Sequence, residues 1–209
     1  RALLSALPAH HPATQWMART GETGAREAHL VDAFLPAREA TFTADGVLAL
    51  VEAAGLAFQG WLARGPYEPD GLFPLGHPLG EAFAALPDAE RFAAMAALTV
   101  PLDHWFLACR RDRDPARYQL DFGAADLLDW VPGRRFPPAP RHPPLPYDPR
   151  DPVQEALYRP IDGQRRLGEC LAAAGLSGPP AAMHDAVRRF IAHLWRKDAV
   201  FLRLPRRSP

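Results

Sequence analysis

Residues 43–62, TADGVLALVEAAGLAFQGWL, decide the fold class of this chain. Thr43 can cap a helix, because its hydroxyl can accept a hydrogen bond from a backbone N–H that the first turn leaves unpaired. The apolar positions that follow with the spacing of one helix face are Val47, Leu50, Val51 and Ala54. Gly55 stands where helices often end in a left-handed residue, with apolar Leu56 after it. The stretch therefore predicts a helix between Thr43 and Gly55.

A β-strand is predicted directly after this helix, over residues 56–62. Side chains of a strand point to its two faces in turn. This predicts Leu56, Phe58 and Leu62 on one face and Ala57 and Trp61 on the other. A helix joined to a strand by so short a turn is typical of an αβ unit in a layered sheet.

Further elements are predicted on both sides of this unit. Residues 66–86 are rich in Gly and Pro and predict irregular structure, whereas residues 88–98 predict a helix. The apolar face of that helix carries Phe92, Met95 and Ala96. Residues 103–110 predict a second strand, apolar on both faces, as in a sheet that is covered on both sides.

Three weaker patterns complete the first part of the chain. Leu3, Leu4 and Leu7 begin a short helical pattern that Pro8 interrupts, and residues 21–24 predict a loop. Residues 122–130 predict one further short helix.

Prolines divide the chain. Nine of its 24 prolines lie between residues 131 and 153, where neither a helix nor a central strand can continue through them. We interpret residues 131–150 as an extended linker between a first region, 1–130, and a second, 151–209. A proline-rich ligand for another protein would have a similar composition, but a linker explains it without a partner.

The second region predicts a small helical module. Asp151, Pro152 and Gln154 form a helix start of capping-box type, with the helix ending near Tyr158. Two more helices are predicted over residues 164–174 and 181–195, and a strand over 200–204. Three short helices and a terminal strand suggest a winged-helix-like module.

The amino-acid composition excludes several classes of protein for this chain. The 209 residues are 48% apolar and 23% charged, as in soluble globular proteins, and the apolar runs are too short for a membrane span. Basic and acidic residues balance at 24 each, which gives no general attraction to nucleic acid or anionic membranes. Cys109 and Cys170 match no metal or redox spacing and predict two small buried side chains in a cytoplasmic protein.

Sequence motifs of common enzymes are absent. No phosphate-binding glycine loop, nucleophile elbow or zinc-protease motif is present, and the eight histidines share no ligand spacing, so no metal site is expected. Three residues remain as candidate substrate-binding side chains: Tyr67 after the first strand, His77 in a Gly/Pro loop and His104 at the second strand. Each also has a purely structural interpretation, as a packed tyrosine, a solvated loop histidine and a core histidine. The catalytic residues stay unknown.

The order of these segments resembles the late part of bacterial class I S-adenosylmethionine-dependent methyltransferases. The stretches that carry the resemblance are DAFLP (32–36), ATFT (40–43), residues 48–55, FQGW (58–61), residues 85–97 and HWFLA (104–108). The resemblance spans about residues 1–112, and the tail from Asp151 resembles winged-helix modules appended to some of these enzymes. It implies an α+β chain: an incomplete methyltransferase-like α/β portion followed by the small winged-helix-like domain.

Two departures limit what the resemblance implies. Leu35 stands where the family has a histidine before the proline, so no role of that histidine carries over. The glycine-rich turn and the acidic residue that hold the cofactor are missing from the sequence. We therefore expect a C-terminal fragment that completes the sheet and the substrate side around Tyr67, His77 and His104, inactive alone. The intact parent would bind S-adenosylmethionine, whereas the fragment would bind no cofactor, and its partner would be the missing N-terminal cofactor domain.

The sequence does not show whether the methyl acceptor is a protein, an RNA, a lipid or a small molecule. It also does not show whether the chain itself is an enzyme. An alternative function is a protein- or nucleic-acid-binding module of winged-helix type, because the third helix carries Arg188, Arg189 and Arg196. Asp185 and Asp198 flank that helix and disfavour nucleic acid.

Overall fold

The structure is a computed structural model that describes residues 6–20, 40–101, 103–135, 147–148 and 150–205. The chain separates into two compact units, residues 1–41 and 42–209. In the first unit, helix α1 spans Pro12–Thr20. The predicted helical pattern at Leu3 and Leu4 and the predicted loop at 21–24 lie outside the described residues, as does the DAFLP stretch of the resemblance.

The second unit begins with the predicted helix. Helix α2 spans Ala44–Ala53, and the Thr43 hydroxyl accepts a hydrogen bond from the backbone N–H of Gly46 at 3.3 Å. Gly55 has a φ of +70°, the left-handed conformation expected after the helix. Both ends of α2 are therefore set by the residues that the sequence identified.

Strand β1 spans Leu56–Trp61 and pairs in antiparallel orientation with β2, Phe106–Arg110. The register shifts between Phe58 and Gly60, and Gly60 has a φ of +154°, which is open only to glycine. This bulge turns Trp61 onto the same face as Phe58, so the predicted separation of these two residues onto opposite faces is wrong. Their rings lie 4.9 Å apart in the core.

The sheet of β1 and β2 is covered on one face only. Ala44, Val47 and Phe92 pack with Trp61 on the inner face. On the outer side Leu107 is 46% exposed, and Trp105, directly before β2, is 64% exposed. The prediction that the second strand is covered on both sides is therefore wrong for the described residues.

The segment between the two strands is more regular than predicted. Two 3₁₀ turns span Gly65–Tyr67 and Pro69–Gly71, and helix α3 spans Pro78–Ala84. Pro78 occupies the first helical position, where its missing N–H costs nothing. Helix α4, Asp88–Thr99, follows as predicted and buries Phe92 and Met95.

The proline-rich stretch begins with a strand. Strand β3, Val131–Arg134, pairs in antiparallel orientation with β4, Val200–Arg203. Pro132 is tolerated because each strand of a two-stranded sheet has one edge without ladder hydrogen bonds. The predicted linker thus contributes its first four residues to a sheet, and residues 136–146 and 149 lie outside the described part. The helix predicted over 122–130 is reduced to a 3₁₀ turn at Leu127–Asp129.

The three helices of the second region are present. They are α5 (Pro152–Tyr158), α6 (Leu167–Ala173) and α7 (Pro180–Arg196). Asp151 caps α5 by accepting hydrogen bonds from the N–H groups of Val153 and Gln154, as predicted. One cluster of buried side chains joins these helices to Leu127, Trp130 and Val200.

Helices and two small antiparallel sheets make the described part of the chain α+β. Cys109 and Cys170 are both free thiols, and Cys170 is buried. Among the described helices, none combines the length and the apolar character that crossing a membrane requires.

Candidate functional site

Two of the three predicted site residues meet beside the sheet of β1 and β2. Tyr67 ends the first 3₁₀ turn after β1, and His104 stands two residues before β2. Tyr67 Oη lies 2.6 Å from His104 Nδ1, and His104 Nε2 lies 2.7 Å from the carbonyl oxygen of Phe42. The pair therefore connects the start of the unit to both strands.

The chemistry of these partners fixes the hydrogen bonds of the neutral imidazole. A carbonyl oxygen can only accept, so His104 Nε2–H donates to Phe42 and Nδ1 accepts from the Tyr67 hydroxyl. If the imidazole is protonated, Nδ1–H donates to Tyr67 instead, and the tyrosine hydroxyl can turn to the carbonyl oxygen of Asp103 at 3.4 Å. Both protonation states of His104 thus find partners.

Tyr67 is enclosed. Its side chain is 1% exposed, and its ring stacks on Trp61 with centroids 3.8 Å apart and planes 9° apart. Burial, with a smaller effect of Asp103, raises the pKa of Tyr67 to about 12. Tyr67 consequently acts on its neighbours, as a donor that orients His104, and not on a molecule from outside.

His77 lies in a different place. Its Nδ1 accepts a hydrogen bond from the backbone N–H of Leu79 at 3.3 Å, which caps α3. Its ring stacks on Phe73, with centroids 5.1 Å apart. It lines a cleft of about 210 Å³ against α7, and neither Tyr67 nor His104 lines that cleft. The structure thus brings together two of the three predicted residues.

A buried contact between a histidine and a carboxylate near this cleft was missed by the sequence analysis. His193 of α7 is 1% exposed, and its Nδ1 lies 2.6 Å from the Asp70 carboxylate in the second 3₁₀ turn. Arg196 lies 3.7 Å from the other oxygen of Asp70. The position of His193 within the apolar stretch 190–194 was the available signal, but its partner is 123 residues away in sequence.

Glu68 adds a second carboxylate beside Asp70, and each of the two side chains is 13% exposed. Burial raises the pKa of Glu68, while Arg91 and Arg196 oppose this effect. The Glu68 carboxylate lies 3.2 Å from Arg91 Nε. Glu68 thus contacts a cation of α4 and Asp70 lies near a cation of α7, and these pairs hold the segment between β1 and α3 against both helices.

The cations of α7 are largely paired within the chain. Arg188 and Arg189 both contact the Asp185 carboxylate, at 2.6 and 2.9 Å. Its central residues Val187, Phe190, Ile191 and Leu194 are buried in the core. The Asp185 pairs reduce the positive charge that a phosphate backbone would meet on this helix.

No cluster of three or more potential metal ligands occurs among the described histidines, cysteines and carboxylates. A search against models of known protein families finds no match to this chain. The strongest unassigned features are therefore the open apolar side of the β1–β2 sheet and the cleft against α7.

Proposed function

We propose that this chain is the C-terminal portion of a class I S-adenosylmethionine-dependent methyltransferase, in which it completes the sheet and the substrate side. The observation that supports the proposal most is the uncovered side of the β1–β2 sheet. Trp105 and Leu107 are 64% and 46% exposed there, although the strand is apolar on both faces. Large exposed apolar side chains on one surface mark interaction sites.

The occupant of this surface is the cofactor-binding domain of the parent enzyme. A two-stranded sheet is marginal alone and gains stability when further strands extend it. Strand β2 leaves one edge unpaired among the described residues, because β1 occupies the other. A neighbouring strand on that edge would extend the sheet, and its domain would cover Trp105 and Leu107.

The chain does not provide a cofactor site of its own. Its 209 residues contain no glycine-rich turn after a strand and no acidic residue placed to hold a ribose. We therefore assign S-adenosylmethionine to the intact parent and no cofactor to this portion alone. Without the cofactor domain, the portion would transfer no methyl group.

Tyr67 and His104 have a positioning role in this proposal. Both ring nitrogens of His104 are occupied, by Tyr67 and by Phe42, so its ring forms part of a wall and leaves no free nitrogen for a substrate. The pair would hold the backbone of Phe42 beside the sheet, near the surface that the cofactor domain would cover.

Calorimetry with S-adenosylmethionine tests the proposal. The titrations use the 209-residue chain and the natural polypeptide that contains it. We expect binding by the natural polypeptide and none by the 209-residue chain. Absence of binding by the natural polypeptide would overturn the methyltransferase assignment. Tight binding by the 209-residue chain would overturn the claim that the cofactor site lies outside it.

Two exposed leucines give a matched test of the surface. Leu107 lies on the open side of the sheet and is 46% exposed, whereas Leu72 follows the second 3₁₀ turn and is 51% exposed. In the natural polypeptide, Leu107→Glu should lower the melting temperature and the affinity for S-adenosylmethionine, and Leu72→Glu should change neither. Equal effects of the two variants would contradict a domain interface at β2.

A further inference from the structure

The cleft between α7 and residues 69–84 has the chemistry of a ligand site, and we propose that it binds a small planar carboxylate of about the size of benzoate. The inference is independent of the methyltransferase proposal, because the cleft does not involve the open side of the β1–β2 sheet. It rests on the size of the cleft, its aromatic side chains and the arginines that also line it.

One side of the cleft is apolar and flat. Phe73 and His77 line the cleft, and their rings stack with centroids 5.1 Å apart and planes 20° apart. Gly80 of α3 allows this packing, because an added Cβ would lie 3.1 Å from the Cβ of Phe73. Phe122 also lines the cleft. An aromatic ring is the ligand group that such a wall accommodates best.

The part of the lining that α7 contributes is cationic. Arg188, Arg189 and Arg196 line the cleft from α7. Arg188 and Arg189 share one carboxylate, that of Asp185. Two guanidinium groups on one carboxylate leave a positive excess on this part of α7.

Arg196 is the anchoring residue of the proposed site. Its side chain is 40% exposed, and its guanidinium lies 3.7 Å from Asp70, too far for a hydrogen bond. Asp70 already contacts His193 with its other oxygen at 2.6 Å. Arg196 thus forms no hydrogen bond to another described residue, and its planar donors suit a bidentate carboxylate.

Two carboxylates also line the cleft and act against an anion. They are Asp70, whose two oxygens face His193 and Arg196, and Glu81 on the exposed side of α3. Glu81 has no ion pair with another described residue, so it is the group that would repel a bound carboxylate. This makes Glu81 a sensitive test position.

The size of the cleft sets the size of the ligand. A volume of about 210 Å³ is smaller than the roughly 300–1,000 Å³ of sites for drug-sized molecules. One aromatic ring with one charged substituent fits this volume. Ligands with so few atoms bind with dissociation constants of roughly millimolar order.

Two-dimensional NMR titration of the 209-residue chain tests the proposal with three probes that share one phenyl ring and differ in charge: benzoate, benzamide and benzylamine. We expect saturable benzoate binding with shifts confined to residues 69–84 and α7. Neutral benzamide should bind about fivefold or more weakly, and benzylamine should not bind. Equal binding of benzoate and benzamide, shifts elsewhere, or no saturation by benzoate would each overturn the proposal.

Variants separate the cleft from a nonspecific effect. Ala84→Phe fills the cleft and should abolish benzoate binding, whereas Ala85→Phe, one residue beyond the cleft lining and equally exposed, should not. Arg196→Gln should weaken benzoate at least about fivefold without affecting benzamide, and Glu81→Gln should strengthen benzoate. Unchanged benzoate affinity in Ala84→Phe, or in both Arg196→Gln and Glu81→Gln, would overturn the assignment.

Discussion

The Tyr67 hydroxyl lies 2.6 Å from His104 Nδ1, and this hydrogen bond joins the 3₁₀ turn after β1 to the segment that enters β2. The other imidazole nitrogen holds the carbonyl of Phe42 at 2.7 Å. Because Tyr67 is 1% exposed, water cannot easily replace its hydroxyl as the partner of His104. The pair therefore fixes three segments of the unit at one point.

Tyr67→Phe should destabilise the chain by about 1–3 kcal/mol, because it leaves His104 Nδ1 without its donor while keeping the ring stack on Trp61. Urea unfolding measures the change. Tyr147→Phe is the control, since the described residues give the Tyr147 hydroxyl no hydrogen bond, and it should change stability by less than about 0.5 kcal/mol. A Tyr67→Phe effect as small as that of the control would contradict a structural role of the pair.

Tyr67 should ionise late when the protein is titrated with base. The folded pKa of about 12 exceeds the unfolded value of about 10, so the unfolded chain loses this proton first as the pH rises. The stabilising effect is complete below about pH 10 and is lost between about pH 10 and 12. Between about pH 9 and pH 11, the free energy of unfolding should therefore fall less for Tyr67→Phe than for the wild type. An equal fall in both proteins would contradict the raised pKa of Tyr67.

Structural features that depend on a few neighbouring residues could be predicted from the sequence. Thr43 caps α2, Gly55 adopts the left-handed conformation after it, and Asp151 caps α5, each as predicted. In each case the hydrogen bond or the dihedral angle involves residues at most three positions apart. Such features depend on the local chain and not on its tertiary surroundings.

Structural features that depend on residues far apart in sequence could not be predicted. The position of Trp61 depends on a bulge whose register is set by pairing with β2, about 50 residues later in the chain. The contact between Asp70 and His193 joins two residues that are 123 positions apart in sequence. The two sides of β2 have similar apolar sequences, so only packing reveals that one of them is uncovered.

Among the glycines that the structure describes outside the sheets, Gly71 should be the position where substitution by alanine destabilises the chain most. A Cβ at Gly71 would collide with the backbone carbonyl of Gly65 in the neighbouring 3₁₀ turn, and a backbone atom cannot move away cheaply. We expect a loss of about 1–3 kcal/mol or more in urea unfolding.

The same substitution in helix α6 provides the contrast. At Gly168 the nearest atom to an added Cβ is the Leu128 carbonyl oxygen at 3.4 Å, so the methyl group fits. Alanine has the higher helix propensity, and Gly168→Ala should stabilise the chain by about 0.5–1 kcal/mol. Similar changes in the free energy of unfolding for Gly71→Ala and Gly168→Ala would show that the two 3₁₀ turns can separate enough to accept a methyl group.

Asp198→Asn should weaken the junction between the first part of the unit and the end of α7. Asp198 Oδ1 contacts Arg64 at 2.9 Å and Arg135 at 2.8 Å, and Oδ2 accepts a hydrogen bond from the Gly65 N–H at 2.8 Å. The substitution keeps the shape, and asparagine tolerates the φ of +60° found here. It removes the charge that two guanidinium groups share, so we expect a loss of about 1–3 kcal/mol.

Asp112→Asn is the matched control for this variant, because Asp112 pairs with Arg110 at the surface, with side chains 66% and 82% exposed. Exposed pairs contribute little, so the control should cost less than about 0.5 kcal/mol. Added salt should reduce the Asp198→Asn effect only in part, since Asp198 and Arg64 are 15% and 20% exposed and therefore weakly screened. A complete loss of the effect in salt would mean that the charges act through solvent, and the junction would then depend on apolar packing.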